Sequence, residues 1–504
     1  MELFDYSSSV WLQSFCNTFC FMFFSFTILF CLFSLLIFVM RLKPWCQCDV
    51  CRSYLKMSWL KDFNNLCDWY THLLAKSPTG TIHLHVLGNT ITSNPENVEY
   101  ILKTRFDNYP KGKPFSEILG DLLGRGIFNV DDDSWRFQRK MASLELRTVD
   151  VKMYAFDLVT AEIRSRLIPL LSSLAGHEHK ILDLQDVFRR FSFDTVCRFS
   201  FGLDPGCLKL NLPLSKFATA FDLASKLSAE RALGPSPIVW KIKRLLNIGS
   251  EKQLKEAIKL VNELAEKMIH QRRKMGFSNK NDLLSRFMAS IDDEKYLRDI
   301  VVSFLLAGRD TVASGLTSFF WLLSQHPEVE SAIRNESDKI MGPDDHQDLV
   351  SFQQLGEMHY LNAAVYESMR LFPPVQFDSK FAQEDDVLPD GTCIRKGTRV
   401  TYHPYAMGRM ERIWGLDCLE FKPERWLRNG RFVPENPFRY PVFQAGRRVC
   451  LGKEMALVEM KTVALSVVRN FNIRVKYPHQ SPRFAPGLTA TVRGGLPVMV
   501  QEVC

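Results

Sequence analysis

Ten residues near the C-terminus, Phe443 to Gly452, constrain this chain more than any other feature. They follow the spacing Phe-x-x-Gly-x-Arg-x-Cys-x-Gly around Cys450. The residues after it, Lys453, Glu454, Met455, Ala456 and Leu457, are strong helix formers, which predicts Cys450 at or just before a helix N-terminus. There the helix dipole and free N–H groups favour a thiolate over a thiol. Gly446 and Gly452 remove side chains where backbone must approach a flat ring. Phe443 can shield the sulfur, and Arg448 can pair with an acidic group on the ring. A lone cysteine after a turn would read as an ordinary buried thiol. The fixed neighbours make a ligand position the better reading.

The other end of the chain is equally unusual. No charge occurs from Tyr6 to Met40, and Phe19 to Met40 is almost wholly apolar. About 20 such residues span a hydrocarbon core. Glu2 and Asp5 precede the run, and Arg41, Lys43, Arg52 and Lys56 follow it. Positive flanks stay cytoplasmic, which puts the body on the cytosolic side. A cleaved signal peptide fits less well, because the run is too long, its leading region is acidic and no small-residue cleavage site follows. Cys46, Cys48 and Cys51 come next. No fourth cysteine or histidine follows at metal-knuckle spacing, so they read as juxtamembrane thiols open to acylation.

Composition narrows the function class. With 504 residues, 46% of them hydrophobic, the chain can bury a large core. Length alone would allow two to four domains at roughly 150 residues each. The net charge of +8, from 64 basic and 56 acidic residues, suits an anionic membrane or an acidic partner. Zinc-finger spacing and aromatic nucleic-acid signatures are missing, which argues against a nucleic-acid binder. Thirteen scattered cysteines do not make a disulfide framework.

Periodicity predicts an amphipathic helix over Trp59–Leu74, a strand pair turning at Gly88-Asn89, and a helix opened by Asn94-Pro95. Helix then dominates until a last segment of short strands, with turns at Pro389-Asp390-Gly391 and Gly494-Gly495. The longest helix runs from about Tyr296 to Gln325 and is stopped by Pro327. Its middle, Ala307-Gly308-Arg309-Asp310-Thr311, is polar amid apolar neighbours, which is costly unless those groups are paired or used. Gly308 can open a groove, Thr311 can hold a water, and Asp310 can relay protons. The plain alternative is a kinked helix with a hydroxyl bonded back to a carbonyl. Glu367 and Arg370 share a helix face at i,i+3, and Pro423-Glu424-Arg425-Trp426 supplies a second arginine. Trp135 and Arg139 share a face at i,i+4.

Phe443–Gly452 resembles the haem signature of the cytochrome P-450 superfamily at every defined position, and the likeness extends over the whole chain. The resemblance implies a mainly α fold, a helical haem domain with small β-sheets plus one N-terminal transmembrane helix. It replaces the length-based domain count with an anchor over 1–41, a linker over 42–58 and one mono-oxygenase domain over 59–504. It implies haem b with Cys450 as axial ligand, flanked by Phe443, Gly446 and Arg448, with Trp135 and Arg139 on a propionate. Thr311 and Asp310 would serve oxygen activation. Glu367, Arg370 and Arg425 would form a buried structural triad. The chain has no flavin or nicotinamide fingerprint, so a separate acidic NADPH–cytochrome P-450 reductase is implied. Arg136, Lys140, Arg447, Lys453 and Lys461 are candidates for its docking face. The family's proline-rich hinge is reduced here to Lys43-Pro44.

The resemblance is closest to plant ω-oxidising enzymes of fatty acids and of jasmonoyl-isoleucine, above all the branch that carries 12-hydroxy-jasmonoyl-isoleucine to the 12-carboxy product. The matching stretches are Asn108–Lys113, Asp121–Phe128, Pro373–Lys380 and Phe484–Thr489. Such enzymes imply an endoplasmic-reticulum membrane, a cytosolic body and a lipid-derived carboxylate substrate. Lys111, Lys113 and Arg125 are candidates for holding that carboxylate, with solvated loop cations as the plain alternative for each. A fatty-acid ω-hydroxylase is the rival. A hydroperoxide lyase or isomerase, or a non-catalytic haem sensor, would have no need of the Asp310-Thr311 pair.

Overall fold

A computed structural model describes residues 21–34, 46, 48–146, 149–175, 180–208, 216–234, 236–276, 282–342 and 350–503. Most of the expected anchor, with Lys43-Pro44, lies outside the described residues. Its described part, Phe21–Ser34, is an apolar helix whose side chains are almost all exposed. Among the described residues, the helix long and apolar enough to cross a membrane is Glu294–Leu323. Within it, 78% of the most apolar 18-residue window is buried in the body, as in a core helix.

That central helix organises the molecule. Asp293 caps it, its carboxylate accepting from the Tyr296 N–H at 3.1 Å. Its first half packs into a cluster with Phe221, Val261 and Phe287. Its second half packs into a larger cluster with Phe188, Leu361 and Val463. One helix thus threads both cores, and the polar segment 307–311 sits where they meet. There Leu306–Asp310 widens into a π turn, a form that appears most often at functional sites.

The Leu184–Phe201 helix lies alongside. A Cβ at Gly308 would stand 2.3 Å from Val196 Cγ2. The missing side chain therefore serves close helix packing on that face. The expected groove at Gly308 is filled by Val196.

Five small sheets accompany the helices among the described residues, three of them two-stranded. The largest orders Thr81–Leu84, Asn89–Thr92, Arg399–Tyr402 and Asp378–Phe381. Only the Asn89–Thr92 and Arg399–Tyr402 pairing is parallel, with Asn89 opposite Arg399. The turn at Gly88 has φ +57°, the left-handed region that glycine enters at no steric cost. The three-stranded sheet orders Phe471–Val475, Pro497–Glu502 and Leu182–Asp183.

Two expected elements differ. The helix over Trp59–Leu74 is split into a short turn, Ser58–Lys61, and a helix, Leu66–Lys76. Asn65 causes the break. Its amide donates to the Pro482 carbonyl at 3.0 Å, and its side-chain oxygen accepts from the Phe484 N–H at 2.8 Å. A tertiary demand from the C-terminal loop overrides the local period. The stretch expected as linker is, from Cys48 onward, part of the body. Asp49–Leu55 is helical, Cys51 is fully buried, and the Tyr54 hydroxyl donates to the Leu233 carbonyl at 2.7 Å.

Candidate active site

Cys450 stands two residues before Gly452, which caps the Lys453–Asn470 helix. Its backbone is held by the Cys450 N–H donating to the Phe443 carbonyl at 2.8 Å. Its side chain is exposed, yet the surrounding protein desolvates the thiol and pushes its pKa up. An open side chain in desolvated surroundings places the sulfur on the wall of an interior space. The Gly452 N–H, Arg139 and Lys453 pull the other way, toward thiolate. A Cβ at Gly452 would meet nothing within 4 Å, whereas one at Gly446 would stand 2.1 Å from the Leu102 carbonyl. Gly446, at φ +63°, is thus explained by backbone packing against Leu102, and only Gly452 borders open space.

Arg448 crosses from this loop to the Asp132–Leu146 helix. Its guanidinium lies 4.6 Å from the Trp135 ring centroid, donates to the Val130 carbonyl at 3.2 Å and pairs with Asp131. Its Nε is buried with no partner. Leaving such a donor unpaired costs about 1–3 kcal/mol. Trp135 is buried, and Arg139 is half-buried one turn on. An orphaned buried donor, a thiol on an interior wall and two further cations beside it fit an anionic, iron-bearing ring such as haem. Arg448 and Arg139 would meet its propionates, Cys450 its iron.

On the central helix, Thr311 follows the π turn and its hydroxyl donates to the Ala307 carbonyl at 2.5 Å. Asp310 is buried, and burial pushes its carboxyl up while Arg309 draws it down. The Arg309 guanidinium joins Asp310 at 2.8 Å to Asp222 at 2.7 Å. Asp222 is one-third exposed and also holds Arg189 at 3.0 Å. The chain Asp310–Arg309–Asp222 therefore connects the buried acid to solvent. Asp222 and Arg189 had no signal in the sequence: each is an ordinary helix charge until the fold brings it to Arg309.

Glu367 receives Arg370 bidentately at 2.7 and 2.8 Å, and Arg425 at 3.4 Å. The Trp426 indole N–H donates to the same carboxylate at 2.9 Å. Arg370 spends its remaining donors on the carbonyls of Gly408, Cys418 at 2.6 Å and Glu420 at 2.9 Å. Glu367 and Arg370 are wholly buried.

The candidate cations are not brought together. Lys111 is buried and paired with Asp378, which Lys380 also approaches at 3.1 Å. Arg125 pairs with Asp293 at the surface. Lys113 is exposed near the start of the Gly112–Leu123 helix, with Arg125 just past its end. Twelve residues of rise, about 18 Å, separate those two, too far for one carboxylate. Of the candidate docking cations, Arg136, Lys140 and Arg447 are exposed. Lys461 is turned inward: its ammonium donates to the Leu355 carbonyl at 3.4 Å, and burial pushes its pKa down.

Comparisons with known proteins agree with this geometry. The family profile described as Cytochrome P450 matches residues 56–496. The chain is similar to Cytochrome P450 94C1 of Arabidopsis thaliana, at 63% identity over 95% of this chain and 97% of that relative. It is 47% identical to Cytochrome P450 94B1 of the same plant, over 88% of this chain and 89% of the relative. It is 45% identical to Cytochrome P450 94A1 of Vicia sativa, over 89% of each. A thiol-bearing interior wall, an orphaned arginine donor and a match of this breadth lead to one conclusion: this chain is a mono-oxygenase of the cytochrome P450 family, whose cofactor is haem on a cysteine thiolate.

Proposed function

We propose that this enzyme oxidises the terminal carbon of jasmonoyl-isoleucine and 12-hydroxy-jasmonoyl-isoleucine, ending at the 12-carboxy product, with Cys450 as the iron ligand. The observation that carries this is the convergence of the substrate-like segments. The Phe381 N–H donates to the Pro110 carbonyl at 3.0 Å, and the Ala490 N–H to the Pro374 carbonyl at 2.8 Å. A Cβ at Gly315 would stand 3.8 Å from Pro374. Gly315 is four residues beyond Thr311, on the same helix face. Pro374 thus borders the helix face that carries Thr311, with the chain at Ala490 bonded to it, while the Asn108–Lys113 stretch meets the strand that follows Pro374. Similarity to the 94C1 relative across nearly the full chain supports ω-oxidation in general.

Haem, when bound, supplies an iron that activates O2, with electrons from NADPH through a separate reductase. The residues of this chain do the rest. The Cys450 loop holds the sulfur in place through the Cys450 N–H bond to the Phe443 carbonyl. Asp310, held by the Arg309 guanidinium that also pairs with Asp222, would take up and release the protons, and the Thr311 hydroxyl would hold them beside the bound oxygen. Each round consumes one O2 and two electrons, placing one oxygen atom on the carbon and releasing the other as water. Were the first alcohol to stay bound with the same carbon at the iron, later rounds would need no new residues. Lys113 is the cation of the original three left for the substrate carboxylate. The setting that fits is the endoplasmic-reticulum membrane, with one N-terminal span and the body in the cytosol.

Incubation with reductase and NADPH tests the substrate. Carboxylated product is expected from 12-hydroxy-jasmonoyl-isoleucine. Efficient ω-oxidation of lauric acid with no turnover of the conjugate would replace this reading with the fatty-acid one. The proton route has its own check. Thr311→Ala is expected to keep haem and substrate binding while diverting NADPH electrons into hydrogen peroxide. Unchanged coupling of NADPH to product removes the role.

A further inference from the structure

The juxtamembrane cysteines acquire a fourth partner in the folded chain. His85 lies in the turn between strands Thr81–Leu84 and Asn89–Thr92, and its Nδ1 faces the cysteines. It stands 3.4 Å from Cys46 Sγ and 3.9 Å from Cys48 Sγ, and the two sulfurs are 3.3 Å apart. With Cys51 Sγ included, all four ligand atoms lie within 4.8 Å of one another. A tetrahedron with metal–sulfur bonds of about 2.3 Å and a metal–nitrogen bond of about 2.0 Å has edges of roughly 3.5–3.8 Å. The observed spacings bracket those edges.

We propose that Cys46, Cys48, Cys51 and His85 form a closed structural zinc site that ties the chain emerging from the anchor to the first β-hairpin of the body.

A second observation points to ligand sulfurs. The Cys51 N–H donates to Cys48 Sγ at 3.4 Å, and the Val86 N–H donates to Cys51 Sγ at 3.4 Å. Backbone N–H groups aimed at sulfur are the outer support that thiolates bound to a metal call for. Three sulfurs and an imidazole in one tetrahedral set suit zinc, which takes Cys3His sites with no open position. A Cys46–Cys48 disulfide would use two of the four converging ligand atoms and leave the approach of Cys51 and His85 to them without a purpose. Binding displaces the three thiol protons to solvent and changes no oxidation state.

The clamp has a mechanical consequence. Cys46 is close behind the apolar run, and Cys51 is embedded in the core. Zinc would therefore fix where the anchor leaves the body, a job otherwise left to a short Lys43-Pro44 hinge. The sequence hid the site because the fourth ligand lies beyond an intervening helix and a strand, outside any local knuckle spacing.

The test uses the full-length haem-loaded protein, produced with zinc available and washed with chelator to remove surface metal. Metal analysis is expected to find about one zinc per haem, and zinc-edge absorption to show three sulfur neighbours at about 2.3 Å and one nitrogen at about 2.0 Å. Cys48→Ser and His85→Ala are expected to lose that zinc while keeping the reduced-CO spectrum. Zinc far below one per haem, an oxygen- or nitrogen-only zinc environment, or variants that retain full zinc would each overturn the site. So would a disulfide or acyl group found on these cysteines in place of metal. Should the variants fail to fold, the wild-type edge spectrum still decides.

Discussion

Cys450→Ser is expected to abolish the red-shifted Soret band of the reduced CO complex and all mono-oxygenase turnover. The side chain lies on an interior wall, where burial pushes its thiol up. The Gly452 N–H, Arg139 and Lys453 only partly offset that. A bound iron settles the contest, because a coordinating thiol is deprotonated outright. Serine has no such recourse, since its hydroxyl stays protonated and donates poorly to iron. A haem held by serine should be spectrally distinct and unable to promote O–O cleavage as thiolate does. Retention of the thiolate-type band in Cys450→Ser would transfer the ligand role to another cysteine. Among the described ones, Cys51, Cys67, Cys197 and Cys418 are buried elsewhere in the fold.

Arg370→Ala is expected to destabilise the protein by about 3–5 kcal/mol, the cost of removing one partner of a buried pair. Such a loss compares with the whole stability of a typical domain, roughly 5–15 kcal/mol. The effect is large because one side chain ties together three chain segments. Arg370 holds Glu367 on its own helix and the carbonyls of Gly408, Cys418 and Glu420. Without it, Glu367 keeps its charge with only Arg425, the Trp426 N–H and the Lys422 N–H at 3.0 Å. Arg370→Lys should also weaken the fold, since an ammonium cannot reproduce the bidentate fork. Denaturant titration of the reduced-CO signal measures both. Arg136→Ala is the comparison, because its pair with Asp133 is exposed and should be nearly silent. Equal midpoints for Arg370→Ala and Arg136→Ala would show that the buried cluster adds nothing to stability.

The sequence was most legible where function needs several residue types within one stretch of backbone. Phe443–Gly452 could be read as a ligand loop because Cys450, its glycines and its following helix are contiguous. The Glu367–Arg370 pair and the Trp135–Arg139 pair were visible for the same reason, each lying one helical turn apart. The central helix was placed to within two residues at each end, because its apolar run and its stopping proline are local signals. Local signals failed at Asn64-Asn65, where the periodicity is continuous but the C-terminal loop claims the Asn65 side chain.

By itself, the sequence determined the family, the position of the thiol loop, the polar break in the central helix and the presence of an apolar N-terminal run. Each is written in contiguous residues and in the periods of helix and strand. Only the tertiary structure decided what those residues meet. It buried Lys111 on Asp378, turned Lys461 inward, filled the Gly308 face with Val196 and joined Asp310 to Asp222 through the Arg309 guanidinium. It also set His85 against Cys46, Cys48 and Cys51. The physical reason is common to all: a charge, a donor or a missing Cβ has no fixed meaning until packing chooses its partner, and that partner lies tens or hundreds of residues away in the chain.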